Sequence, residues 1–121
     1  MDFRALIDSG ASDNFISSGI CDHLRLSLHP LKEPLTMQLA DGSYTSVGSY
    51  TRPHLKIGEL KLRMVLKIFE TLLPLILGFS FLQFFNTRIN WKTRELEIEF
   101  GSESFLIQAF LYLLSFKQSS G

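Results

Sequence analysis

Leu60, Leu62, Met64, Leu66 and Ile68 hold every second position of the run 60–68, against Lys61, Arg63 and Lys67. A period of two is the signature of a β-strand with one face buried and one in water. The pattern returns at Leu96, Ile98 and Phe100, which alternate with Glu95, Glu97 and Glu99. Leu55 and Ile57, Met37 and Leu39, and Ile89 and Trp91 make shorter versions of it, and Phe3 to Ile7 reads as a short buried strand. Leu72 to Leu77 is an apolar run interrupted by Pro74 and ended by Gly78. Turn chemistry punctuates these runs. Asp41-Gly42 predicts a two-residue hairpin turn, because glycine takes a positive φ without steric cost. Gly58-Glu59 and Lys92-Thr93-Arg94 read as further turns. Helical signals are confined to a segment capped by Ser17 or Ser18 that carries Ile20 and Leu24, and to Phe79–Phe85, which stops near Asn86. Many short strands with frequent turns and one or two short helices predict an all-β fold.

The chain has 121 residues, room for one domain. Its 45% hydrophobic content and eleven Phe supply a core and argue against disorder. Twelve basic residues balance twelve acidic ones, so the basic excess of a phosphate-gripping surface is missing and no nucleic-acid partner is expected. Cys21 is the single cysteine, which leaves no intrachain disulfide and no cysteine-based zinc site. His23, His29 and His54 lack metal-ligand spacing and read as ordinary residues. The apolar run Phe105 to Phe116 is shorter than the roughly 20 residues that span a bilayer. With no secretory leader in the sequence, an intracellular, cytoplasmic setting without membrane attachment is expected.

Chemistry is concentrated at Ala5-Leu6-Ile7-Asp8-Ser9-Gly10-Ala11-Ser12, where an apolar strand ends in a carboxylate followed by small residues. The strand holds Asp8 rigidly at its end, and Gly10 lets backbone, water and substrate come close. This segment resembles the active-site signature of aspartic proteases. The resemblance extends along the chain to the retropepsin-like proteases of Ty3/gypsy-type long-terminal-repeat retrotransposons and their domesticated or truncated relatives. Those proteases follow the motif with a Phe-Ile pair, here Phe15-Ile16, then a short helix, here Ser18 to Leu24, and a Pro-Leu-Pro-like link, here Leu28 to Pro34. An Asp-Gly hairpin comes next, here Ala40-Asp41-Gly42-Ser43. They end with Leu-Ile-Leu-Gly and an Ile-x-Trp strand, here Leu75-Ile76-Leu77-Gly78 and Ile89-Asn90-Trp91. Order and spacing agree over residues 4 to 98.

The resemblance implies a closed, barrel-like acid-protease half-domain over residues 1–100, with 101–121 as an apolar C-terminal extension. It implies a homodimer in which each copy brings one catalytic aspartate, Asp8, carried on the loop Ser9, Gly10 and Ala11. Like charges that close resist joint ionisation, so the pair shares one proton. One carboxylate would then activate water while the other polarises the scissile carbonyl, with no metal or cofactor. Ser9 would lock the two loops together. Ala11 adds no hydroxyl to the carboxylate, which implies that the pair keeps its proton into mildly acidic conditions. Asp41 and Gly42 map onto the flap, and Leu77 and Gly78 onto the packing beneath the site. The implied substrate is an extended peptide, the element's own Gag or Gag-Pol polyprotein.

Two departures stand beside this. Relatives carry one or two strands before the catalytic one, whereas Met1 lies seven residues before Asp8, so those strands are expected to be missing. Phe79-Ser80-Phe81 stands where relatives often have a polar residue and Trp. Residues 105–116 are read either as a substitute interface strand or helix, or as an extension that packs opportunistically. The alternative reading is therefore a catalytically inactive retroelement-derived fragment or interaction module. A third, phosphate-binding reading rests on Asp8-x-Gly10-x-Ser12, which also resembles a loop of actin-like ATPases, but their further nucleotide loops have no counterpart here. Asp13 and Asp22 read as loop and helix-surface residues. Glu95, Glu97 and Glu99 read as a solvated strand face that also discourages edge pairing.

Overall fold

A computed structural model describes residues 2–39, 41–108 and 113–118. The order of elements is β1 (Asp2–Ile7), β2 (Phe15–Ser17), α1 (Ser18–Leu24), β3 (His29–Gln38), β4 (Tyr44–Thr51), β5 (His54–Ile57) and β6 (Leu60–Arg63). It continues with β7 (Leu66–Phe69), β8 (Leu75–Leu77), α2 (Phe79–Phe84), β9 (Arg88–Asn90), β10 (Glu95–Phe100), β11 (Glu103–Gln108) and β12 (Leu113–Gln118). Nine strands join in the order β3-β4-β7-β2-β8-β1-β12-β5-β6, and β11-β10-β9 form a second, three-stranded sheet. The expected all-β class with two short helices is what the chain adopts. Its ladder runs from a free β3 edge to a free β6 edge among the described residues, so the barrel-like half-domain is open rather than closed.

Alternation along the strands sorts side chains onto two sides of the large sheet. Ile16, Ile68, Leu75 and Leu77 enter the main core together with Leu55, Ile57, Leu96 and Ile98. Their neighbours Phe15, Phe69 and Ile76 face a second, smaller cluster with Val47. The helices obey the sequence signals closely. Ser17 is the N-cap of α1 and its hydroxyl accepts from Ile20 N at 3.4 Å. Arg25 ends that helix in the left-handed region, and Asn86, also at positive φ, follows α2. Cys21 packs inside α1, where burial above all, with Asp22 beside it, pushes the thiol up to about 11. It is therefore a protonated core residue at neutral pH.

Three sequence expectations change in detail. The nine-residue alternating run is two strands, because β6 pairs with β5 whereas β7 lies between β4 and β2. The chain leaves one end of the sheet for its middle at Met64-Val65, and the alternation survives because both strands bury the same phase. The Asp41-Gly42 turn spans one residue more than a two-residue hairpin. Leu39 N donates to Ser43 O at 2.7 Å and Gly42 N to Leu39 O at 3.0 Å, with Gly42 at φ +88°. Ala40 of that motif lies outside the described residues. Third, the acidic strand β10 is no edge. It sits between β9 and β11, and its carboxylates are drawn to Arg88, which contacts Glu97 and Glu99 at 2.7 Å each. Trp91 falls in the turn after β9 and is largely exposed.

The apolar tail divides into two strands. β11 extends the small sheet against β10, from Glu95↔Gln108 to Phe100↔Glu103. β12 lies antiparallel to β1, from Asp2↔Lys117 to Leu6↔Leu113, and touches β5 at Lys117↔Lys56. Residues 109–112 of the tail lie outside the described residues. The free flank of β1 is thus occupied by a strand of the same chain, which connects the two halves of the large sheet.

Truncation after Gln108 should lower the thermal unfolding midpoint by more than about 5 °C, the shift that roughly 1 kcal/mol produces in a domain of this size. An unchanged melt by circular dichroism would show that β12 contributes nothing to the ladder. The Arg88 cluster makes a pH-dependent contribution. Hydrogen bonding to Arg88 lowers Glu97, and hydrogen bonding to Asn86 and then Arg88 lowers Glu99, both from 4.5. Groups depressed in the folded state stabilise it above their unfolded value and lose that contribution as pH falls through the folded one. The stability gap between the wild type and Arg88→Ala should therefore be constant above about pH 5 and close progressively below it, as read by urea titration across pH.

Candidate active site

β1 runs parallel to β8, with Ala5↔Leu75, Leu6↔Ile76 and Ile7↔Leu77, while β2 runs antiparallel to it, with Phe15↔Ile76 and Ile16↔Leu75. Since β8 lies between β1 and β2, the connection 8–14 must cross the end of β8. That crossing is the site. Asp8 N donates to Leu77 O at 2.9 Å, and Ala11 N turns back to Asp8 O at 3.1 Å. Beyond the crossing, Phe79 N donates to Ala11 O at 2.7 Å and Ser80 N to Ser12 O at 3.2 Å, so the start of α2 is stitched to the loop. Asp8 is half-buried, Ser9 and Gly10 are exposed, and the Asp8 carboxylate accepts from Gly10 N at 3.0 Å.

Gly78 sits directly under this crossing. A Cβ there would stand 2.2 Å from Asp13 O and 2.5 Å from Ala11 O, both backbone atoms that have nowhere to go. Its φ is ordinary, so close approach rather than conformational freedom demands the glycine. Asn14 completes the tie, its Oδ1 accepting from Gly78 N at 2.9 Å. Asp13 pairs with Lys67 of β7, which anchors the far end of the loop to the sheet. Sequence reasoning overlooked Asn14 and placed Asp13 on a loop surface. The one available signal was a polar pair set directly before the buried Phe15-Ile16.

The remaining sequence-chosen residues fall as follows. Asp8, Ser9, Gly10 and Ala11 form the loop, half-buried at Asp8 and Ala11 and exposed at Ser9 and Gly10, and Leu77 and Gly78 are buried beneath it. Asp41 and Gly42 lie at the exposed tip of the β3–β4 hairpin. Asp41 Oδ1 accepts from both Ser43 N and Ser43 Oγ, and these bonds hold its carboxyl below the ordinary value. The body of that hairpin reaches the loop. Met37, Leu39 and Val47 belong to the small apolar cluster that also holds Ala11, Phe15 and Ile76. Among the described residues, no group of three or more His, Cys, Asp or Glu could hold a metal ion. No helix there is long and apolar enough to cross a membrane.

A sequence profile of the PEG10/RTL1 protease domain matches residues 4–105. The chain belongs to this family. PEG10/RTL1 protease domains are retropepsin-like and derive from a Ty3/gypsy retrotransposon, in line with the resemblance carried by the Asp8 and Gly78 motifs. Comparison with curated proteins gave no match. Among solved structures, the chain is similar to the retroviral protease-like domain of Ddi1 from Leishmania major, with a TM-score of 0.54 and 16% identity. That likeness covers 93% of this chain and 80% of the other, and speaks for the fold. In this PEG10/RTL1-type domain the 8–14 loop carries two carboxylates, and Asp13 is committed to Lys67, which leaves the half-buried Asp8.

The crossing can be tested directly. Gly78→Ala should cost about 1–3 kcal/mol or abolish folding, as overpacking against an immovable backbone does. Asn14→Ala should cost about 1–3 kcal/mol by leaving the Gly78 N–H unpaired, whereas Asn14→Asp, which keeps the acceptor, should cost less. Equal urea midpoints for Asn14→Ala and wild type would show that the tie is not made.

Proposed function

We propose that this chain is an aspartic endopeptidase that works as a homodimer, with Asp8 of each copy forming the catalytic pair. The observation that carries the proposal is the loop 8–14, which holds a half-buried carboxylate at a strand end and is stitched by backbone hydrogen bonds to the segment 77–80. Family membership supports it, and so does the hairpin 29–51, whose apolar face packs against Ala11. A single copy lacks the second carboxylate the chemistry needs, which is the reason for a dimer.

In the proposed reaction one Asp8 carboxylate takes a proton from water as the oxygen attacks the scissile carbonyl carbon. The partner's Asp8, protonated, donates to the carbonyl oxygen. The tetrahedral gem-diol collapses by breaking the C–N bond, the leaving amine receives a proton from the first carboxyl, and a gem-diol hydroxyl returns its proton to the partner's Asp8. Ser9 and Gly10 line the approach, Ala11 leaves the outer carboxylate oxygen without a hydroxyl donor, and Asp41-Gly42 closes over an extended peptide and excludes water. No metal or cofactor takes part. The expected substrate is a Gag or Gag-Pol-type polyprotein.

A catalytically silent interaction module is the second reading. It is favoured by one observation, the occupation of the outer flank of β1 by the chain's own β12, a flank that a partner strand would otherwise be free to use.

Sedimentation at micromolar concentration separates the readings. The proteolytic reading expects a dimer for both wild type and Asp8→Asn. Cleavage of a polyprotein substrate should fall at least about a hundredfold in Asp8→Asn, and the wild-type pH–rate profile should peak in mildly acidic solution. A monomer at every concentration, or residual cleavage equal to wild type in Asp8→Asn, would remove the two-aspartate mechanism.

A further inference from the structure

A cavity of about 360 Å³, which Asp8 does not line, lies where the Met64-Val65 link, the end of the 8–14 loop and α2 meet. Its charge is one-sided. Arg52, Arg63 and Lys67 line it with a single acid, Asp13. Lys67 and Asp13 satisfy each other. Arg63 donates from Nε and Nη2 to Arg52 O at 3.3 and 3.2 Å, which sets its guanidinium against the Arg52 backbone. Among the described residues neither arginine has a carboxylate partner, in a chain whose formal charge is zero. Beside them stand Val65, 47% exposed, and Phe84, 73% exposed, with the buried Phe81 and Phe85 behind.

Two arginines lining one cavity call for an anion, and arginine's planar fork suits a carboxylate. The aromatic and aliphatic rim calls for apolar cover. A volume of this size lies within the range of small-ligand and side-chain pockets. We infer that this cavity is a docking site for an acidic, apolar peptide segment, with a carboxylate on Arg52 and Arg63 and a neighbouring bulky side chain on Phe84 and Val65. The apolar floor and the neutral overall charge favour peptide over nucleic acid, whose phosphate chain would look for a broader basic surface. Because Asp13 and Asn14 line the cavity and also end the catalytic loop, an occupant touches the segment that carries Asp8. The inference does not depend on proteolysis, since docking is read without cleavage.

The test is fluorescence anisotropy on the full chain with a short fluorescein-labelled peptide that alternates glutamate with phenylalanine. Controls are the same peptide with lysine for glutamate, and a labelled single-stranded oligonucleotide. The glutamate peptide should bind and the lysine peptide should not. Arg52→Glu, an exposed position whose backbone tie to Arg63 is kept, should weaken binding at least about tenfold, the effect of losing one charged hydrogen bond. Phe84→Ser should weaken it independently. Thermal melts matching wild type establish that both variants are folded, and Arg52→Lys should restore part of the affinity. Equal binding of the two peptides, indifference to both substitutions, or a preference for the oligonucleotide would overturn the assignment.

Discussion

Everything around Asp8 depends on one steric fact, the passage of the 8–14 connection over the end of β8 with no room between them. A Cβ at residue 78 would overlap the carbonyl oxygens of Asp13 and Ala11. Because the approach is that close, backbone donors of the 77–80 segment can reach acceptors on the loop, and Asn14 can reach back to Gly78 N. The loop therefore behaves as part of the sheet, although it has no strand pairing of its own. A carboxylate held this way is positioned by backbone hydrogen bonds and close packing.

The same crossing organises the packing on both sides of the sheet. β1, β8 and β2 are consecutive in the ladder, and their alternating side chains feed Ala5, Ile16, Leu75 and Leu77 to the main core. The opposite phase gives Phe15 and Ile76 to the small cluster beneath the hairpin, where Phe15 and Phe69 meet edge to face at 5.3 Å. One-residue slippage of β2 would exchange these faces, so the register of three residues ties the loop, the hairpin and the core together. The tail contributes at the other flank of β1. By lying between β1 and β5, β12 makes a continuous ladder of what would otherwise be two separate sets of strands.

Much of this was legible in the residues. Period-two alternation marked most of the strands, Ser17 marked the start of α1, and Asn86 marked the end of α2, because these signals are local and act within a few residues. The Asp8 and Gly78 segments were legible as a pair through their resemblance to retropepsin-like proteases, and in the fold they lie in contact. Asn14 and the Asp13–Lys67 pair were not, because their partners lie 64 and 54 residues away. A polar residue before a strand has no local mark that distinguishes a surface position from a long-range tie.

Taken alone, the sequence determined the class of fold, the two short helices, the hairpin carrying Gly42 and the candidate carboxylate, since each follows from periodicity, a cap, a turn or a contiguous motif. Only the tertiary structure decided that the 60–68 run divides between two places in the sheet and that the apolar tail flanks the strand that ends in Asp8. It alone brought Arg52, Arg63 and Phe84 to one cavity. The physical reason is the same in each case. Strand pairing and cavity lining are choices among distant partners, made by backbone hydrogen bonding and burial across the whole chain, and hydrophobic patterning leaves those choices open.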